Sequence, residues 1–303
     1  SFDWVPAIVV AQNGLAAFLS GDIVSLFVLL LISPFEYLFN VTTDIRLLEL
    51  SDMSHPLLSR MAMEAPGTYH HSLMVSNLSQ AAARKIHAND LLVRVCAYYH
   101  DIGKLTKPEF FIENAQGRHN PHDDLSPSMS RLLIISHVKE GVSLARRCKL
   151  PGIIVDGIEQ HHGTSIIQFF YHRAKKRAEE AEKGSIKEED YRYPGPKPRT
   201  AEMGILMLAD SIEAASRSID KNKPGQIEGL VNDILQEKIN DGQLDHCELT
   251  MEQINVIRRS FIFSLNNMLH GRIAYPKKDE EESAEKKEPV NTATEAEIRE
   301  NES

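Results

Sequence analysis

Residues 91–104 read LLVRVCAYYHDIGK, and the interpretation of the whole chain turns on how this stretch ends. Apolar residues dominate it without strand-like alternation, so a helix is expected from Leu91 to Asp101. Gly103 follows as a breaker, which places His100 and Asp101 at the C-terminal end of that helix. A second stretch repeats the arrangement: Ile153 to His162 reads as a helix ending in His161-His162, with Gly163 just beyond. Side chains carried on helix ends can converge where the ends meet, and convergence is what a metal site needs.

Working outward, the same helical periodicity recurs with few strand signals. Helices are expected over Thr68–Ile86, Ser128–Cys148, Thr200–Ser218, Gln226–Asn240 and Thr250–His270. In the last, Ile254, Ile257, Phe261, Leu265 and Met268 fall at spacings of three and four, Thr250 is placed to cap the start, and Gly271 can close the end. The fold class is therefore all-α. Between helices lie ENAQGRHNPHDDLSP (113–127) and YRYPGPKPRT (191–200), too polar and proline-rich for core and suited to a binding surface. Residues 173–190 are charge-dense and read as a helix and linker with a solvated face.

The two ends differ in character from this middle. The chain starts at Ser1 without a basic leader, which reads as a cut from a longer protein rather than a signal peptide. From Gly14 to Phe39 only Asp22 and Glu36 are charged, and residues 23–33 (IVSLFVLLLIS) form an uncharged, almost wholly apolar core. With its flanks this segment is long enough to cross roughly 30 Å of hydrocarbon, so a membrane helix is expected, its front interrupted by Ser20, Gly21 and Asp22 and its end kinked by Pro34. Residues 5–11 (VPAIVVA) read as the tail of a preceding span. The expected organisation is a transmembrane region over 1–40, a juxtamembrane linker helix over 41–63, a helical domain over 64–275 and an acidic tail over 276–303. That tail carries ten acidic and five basic residues, so disorder is expected there.

Composition excludes several functions. The net charge is -9, the wrong sign for a protein whose main work is gripping a nucleic-acid polymer. Three cysteines, Cys96, Cys148 and Cys247, form no CxxC pair, so neither a disulfide framework nor cysteine chemistry is expected and a reducing compartment fits. The thirteen histidines are what stands out. His55, His87, His172, His246 and His270 occur singly and read as ordinary core or surface residues. His70-His71, His100-Asp101, His137, His161-His162 and Asp210 are clustered metal-ligand types, whose mix of imidazole and carboxylate suits Mn, Fe, Co, Ni or Zn better than Mg alone.

The order H…HD…H…HH…D, with HDIGK at 100–104, resembles that of the HD-domain metal-dependent phosphohydrolases. The likeness extends to LLELSDMSHPLL (47–58), EAPGTYHHSLMVSNL (64–78), FFIENAQGRHNPHDDLSP (110–127), IISHVKEG (134–141), EQHHGTSIIQFFYH (159–172) and YRYPGPKP (191–198), which look like the seven-transmembrane HD proteins of the PgpH type. Over residues 14–270 the resemblance implies a helical HD bundle with a dinuclear centre behind a membrane helix. It also implies a bacterial cyclic di-AMP phosphodiesterase at the inner membrane with its HD domain in the cytoplasm, and it leaves room for a homodimer. One ion would be held by His71, His100, Asp101 and Asp210, the other by Asp101, His137, His161 and His162. Asp101 then bridges, and two transition-metal ions, Mn or Fe, activate a hydroxide for attack on phosphorus. Seven ligands are too many for one ion, which agrees with two. The residues alone leave His70 and His71 open, and the family's spacing to His100 selects His71.

Around this centre, Lys104 is expected to act on a substrate phosphate or leaving oxygen, as the family also suggests. Arg217, seven residues after Asp210 and nearly on the same helix face, is expected to hold a second phosphate. Tyr193, Phe110 and Phe111 can stack on a base, and His122 is a further substrate-contact candidate. Other readings stay open: an HD enzyme acting on cyclic di-GMP, although HHGTSII stands where those carry a GYP element; a nucleoside-triphosphate hydrolase; and a non-catalytic nucleotide sensor, which would be expected to have lost ligands that are all present.

Overall fold

The computed structural model describes residues 6–39, 41–115, 119–181, 185–219 and 225–270. Packing divides the chain after Asn266, and of the second unit only the end of the last helix is described. Among the described residues there is no strand, only an isolated bridge between Ile166 and Arg192. The helices are α1 (Ala7–Phe39), α2 (Asp44–Leu50), α3 (Pro56–Glu64), α4 (Pro66–Lys85), α5 (Asp90–Tyr99), α6 (Pro127–Arg147), α7 (Gly152–Gln160), α8 (Gln168–Glu180), α9 (Ala201–Ser216), α10 (Gln226–Asn240) and α11 (Met251–His270). The expected all-α class holds. Gly271 and the acidic tail lie outside the described residues.

Helix α4 is central, packed between α5 and α9, while α6 lies against α7, α8 and the 3-10 turn Ile102–Thr106 that follows Asp101. Local chemistry starts these helices where the sequence says it should. Side chains of Asn89, Ser126 and Thr200 accept from backbone N–H groups in the first turns of α5, α6 and α9. Thr250 and Gln253 form a reciprocal capping box at α11, each side chain accepting from the other's N–H at 3.1 and 2.9 Å. The α11 stripe then buries Ile254, Ile257, Phe261 and Leu265.

Two expectations are corrected. The segment 41–63 is not one linker helix: it breaks into α2 and α3, with His55 Nδ1 accepting from Leu57 N at the start of α3. Nor does it behave as a linker, because Leu50, Leu58 and Met61 are at most 1% exposed and Tyr99 donates its hydroxyl to the Leu50 carbonyl at 2.9 Å. Three such side chains contribute about 1.5–3 kcal/mol each, enough to make this segment part of the domain's core. Second, the apolar stretch at 7–11 is not a separate span; α1 runs unbroken through Ser20, Gly21, Asp22 and Pro34. A glycine inside a helix costs only about 1 kcal/mol, which the surrounding run of good helix formers offsets. The charge-dense segment forms a helix with a solvated face, as expected, and also has a buried face. Helix α8 begins at Gln168 and buries Phe170, Ala174 and Ala178 at spacings of four, with Tyr191 packed beside them.

Helix α1 has 33 residues, a length of roughly 50 Å at 1.5 Å per residue. It is long and apolar enough to cross a membrane, and none of its apolar window is buried within the chain. At its end the Glu36 carboxylate accepts from Thr43 N, which ties it to the residue capping α2.

Candidate metal centre

Five helices deliver the clustered histidines and carboxylates to one buried point. His71 comes from α4, His100 caps the end of α5 with Asp101 next, His137 comes from α6, His161 caps α7 with His162 next, and Asp210 comes from α9. Close backbone approach makes the meeting possible. A Cβ on Gly103 would fall 1.8 Å from the His137 carbonyl oxygen, so only glycine lets the turn after Asp101 touch α6. Gly163 takes the left-handed conformation (φ 52°) and turns the chain sharply after His162.

The histidine rings are pre-oriented. His100, His137 and His161 each donate Nδ1–H to the carbonyl three residues earlier, at 2.7, 2.6 and 2.8 Å, which leaves Nε2 as the acceptor facing the centre. His71 uses a side chain instead, pairing Nδ1 with Glu213 while Nε2 stands 2.9 Å from Asp210 Oδ1. His70 lies on the exposed side of α4 and His71 is 3% exposed, so the helix phase presents His71 to the centre.

Asp101 stands between the two sets of histidines. Its Oδ2 is 3.5 Å from His71 Nε2 and 3.2 Å from His100 Nε2, while its Oδ1 is 3.4 Å from His137 Nε2 and 3.8 Å from His161 Nε2. Ligand atoms of His71, His100, Asp101 and Asp210 form one tight group, those of His137, His161 and His162 another. Asp210 also looks both ways, with Oδ2 3.6 Å from His162 Nδ1.

A divalent cation fits this donor set. His100 Nε2 and both Asp101 oxygens are buried without a well-formed hydrogen bond, a costly arrangement that coordination would satisfy. The electrostatics agree. Burial, and then the neighbouring His100, push His161 down to about 3, and burial also holds His162 well below the usual range, so this half offers neutral imidazoles. In the other half burial opposes protonation of His100, but Asp101 and Asp210 overcome it and raise the ring to about 10. The carboxylates there demand positive charge, which a proton provides in the metal-free protein and a cation provides on binding.

Beside the centre lies a cavity of about 350 Å³ with an aromatic lining. Lys104, Arg217, Tyr193 and His122 all line it. Lys104 Nζ lies 2.7 Å from Asp101 Oδ2 and 2.8 Å from Glu113 Oε1; burial works against the ammonium, but these two carboxylates hold it charged. Arg217 pairs with Glu213 at 2.7 Å while it lines the cavity. One face of the Tyr193 ring is committed to His162, stacked at 4.2 Å. His122 is wedged between the rings of Phe110 and Phe170 and donates Nε2–H to the Phe110 carbonyl at 2.8 Å. Phe111 packs edge-on against His137.

Two residues of the centre were not among the sequence candidates. Glu213 sits one helical turn after Asp210, so the spacing Asp210-x-x-Glu213 carried a readable signal. Glu113 comes from the loop after the HD pair and carried none. Glu213→Gln is expected to leave the fold intact and weaken metal retention about 10- to 100-fold, since it loosens the ring that Glu213 orients. Competition against a metal-binding indicator measures this, and an unchanged affinity would remove Glu213 from the centre.

The HD domain family model matches residues 68–215. The cyclic-di-AMP phosphodiesterase PgpH of Bacillus subtilis (strain 168) is 47% identical over 257 residues, 85% of this chain and 35% of that protein. The chain thus spans about a third of the length of the curated relatives it matches. The crystal structure of the L. monocytogenes phosphodiesterase PgpH HD domain superposes with a TM-score of 0.67 at 45% identity, over 72% of this chain and 100% of that one. The same domain in complex with cyclic-di-AMP gives 0.68 at 44% identity, over 72% of this chain and 100% of that one. With a solved HD domain matched over its full length, its histidines and aspartates gathered in one buried centre, this chain belongs to the HD-domain family, alongside the PgpH proteins.

Proposed function

We propose that this chain is the catalytic part of a membrane-associated bacterial phosphodiesterase that hydrolyses cyclic di-AMP to linear 5'-pApA. The observation that carries the reading is Asp101, whose two oxygens face different histidine sets, with His71, His137, His162 and Asp210 around it lining a cavity of about 350 Å³. The likeness to PgpH proteins supports it, as does the complex of the Listeria domain with cyclic-di-AMP.

His71, His100, Asp101 and Asp210 would hold one cation, and His137, His161 and His162, with Asp101, the other. When bound, two divalent ions, Mn or Fe by the imidazole-rich donor set, supply Lewis acidity and lower the pKa of water. The protein's own groups do the rest. Lys104 places an ammonium at the cavity wall for a phosphate oxygen, Arg217 offers a second cation, and the aromatic lining takes an adenine and excludes water. One water is consumed and one P–O3' bond breaks, leaving a 3'-hydroxyl and a 5'-phosphate. Helix α1 anchors the domain at the inner membrane, with the HD domain in the cytoplasm where the nucleotide and the free cysteines Cys96, Cys148 and Cys247 fit.

Metal-free protein reconstituted with Mn, Fe or Mg and given cyclic di-AMP, cyclic di-GMP or dGTP tests the reading, with products identified by mass. Cyclic di-AMP is expected to yield pApA with Mn or Fe and little with Mg. Selective turnover of dGTP would overturn the substrate assignment, and full activity with Mg alone would overturn the transition-metal assignment.

A further inference from the structure

Glu113 is a buried carboxylate outside the metal-ligand set, and its surroundings are unusually well fixed. Its side chain is 9% exposed, on the short turn Ile112–Asn114. Oε1 receives Lys104 Nζ at 2.8 Å and Thr68 Oγ1 at 3.2 Å. The next residue seats the turn on the start of α4: Asn114 Oδ1 accepts from Thr68 N at 3.1 Å, and Asn114 Nδ2 donates to Thr68 Oγ1 at 2.9 Å. Gly67 allows the two backbones to touch, since a Cβ there would fall 1.9 Å from the Glu113 carbonyl oxygen. The carboxylate is therefore held rigidly on the helix that carries His71 one turn later.

Lys104 by contrast is a flexible side chain with two anionic partners, Asp101 at 2.7 Å and Glu113, and the Phe111 ring 5.0 Å away. Cations bound at Asp101 consume that carboxylate's charge and repel the ammonium. Glu113 is then the anion that keeps Lys104 over the cavity instead of turned away from it.

We propose that Glu113 is a positioning residue that holds Lys104 toward the substrate phosphate. The proposal rests on the phosphodiesterase reading above. Glu113 lines the same cavity, but its Oε1 is engaged by Lys104 and Thr68, and it acts through Lys104.

A double-mutant cycle on the full chain in detergent, loaded with Mn, tests this. Glu113→Gln keeps the shape and the acceptor for Thr68 and removes only the charge. Alone it is expected to lower kcat/KM about tenfold while two ions per chain are retained, the scale of replacing a charge-assisted hydrogen bond by a neutral one. In a Lys104→Ala background the same change is expected to cost less than about twofold, because the group it positions is gone. A merely structural role would give independent losses that multiply, or a fall in metal content, and either result overturns the proposal. So does a wild-type rate for Glu113→Gln when Lys104→Ala is impaired. If Lys104→Ala itself turns over at the wild-type rate, the underlying assignment of Lys104 fails and the proposal falls with it.

Discussion

Replacing Asp101 with alanine is expected to strip the centre of metal, to one ion or none per chain, and to abolish turnover. The carboxylate is 1% exposed and its two oxygens face different histidine sets, so in the proposed two-cation centre its loss would take a ligand from each cation position at once. It also leaves two cations close together without the anion between them, at a buried site where solvent screens little. Activity is expected to fall more than about 10³-fold, beyond the cost of removing one transition-state donor. Asp101→Asn, which keeps the shape and one acceptor oxygen, separates loss of charge from loss of fold. Metal analysis with circular dichroism decides the matter: two ions per folded chain in either variant would remove Asp101 from the bridging role.

Lys104→Ala is expected to behave in the opposite way. Its ammonium contacts Asp101 and Glu113 but belongs to neither ligand group, so metal content stays near two ions while turnover slows by about 10²- to 10³-fold. Removing a competing cation 2.7 Å from Asp101 is not expected to weaken metal binding. Single-turnover rates and metal analysis on the same preparation measure both effects. A wild-type rate would take Lys104 out of the chemistry, and loss of metal would make it a structural part of the centre.

The parts of this fold that were legible in the sequence are those set by local chemistry. Helix α11 announces itself through Thr250 and the Ile254, Ile257, Phe261, Leu265 stripe, and the HD and HH pairs sit at helix ends because their helices run out there. The residues alone did not separate His71 from His70, and only the family's spacing to His100 selected His71; the structure supplies the physical reason, since Thr68, His71, Val75, Leu78 and Ala82 fall at spacings of three and four and all are buried on one face of α4. What stayed hidden depends on packing between distant segments. The break between α2 and α3 follows from burying Leu50 and Met61 on the domain, with the Leu50 carbonyl held by Tyr99 49 residues away. Glu113 meets Thr68 across 45 residues, and no local pattern marks a loop glutamate as the partner of a lysine on the HD turn. The solvated face of helix α8 was legible in its charges, whereas its buried face, Phe170, Ala174 and Ala178 spaced four apart, depends on packing against Tyr191.

Whether two cations share Asp101 is decided by anomalous diffraction from crystals grown with Mn. Two peaks roughly 3.5 to 4 Å apart are predicted, one beside His71, His100 and Asp210, the other beside His137, His161 and His162, with an Asp101 oxygen on each. A single peak, or two that leave Asp101 uncoordinated, would contradict that sharing.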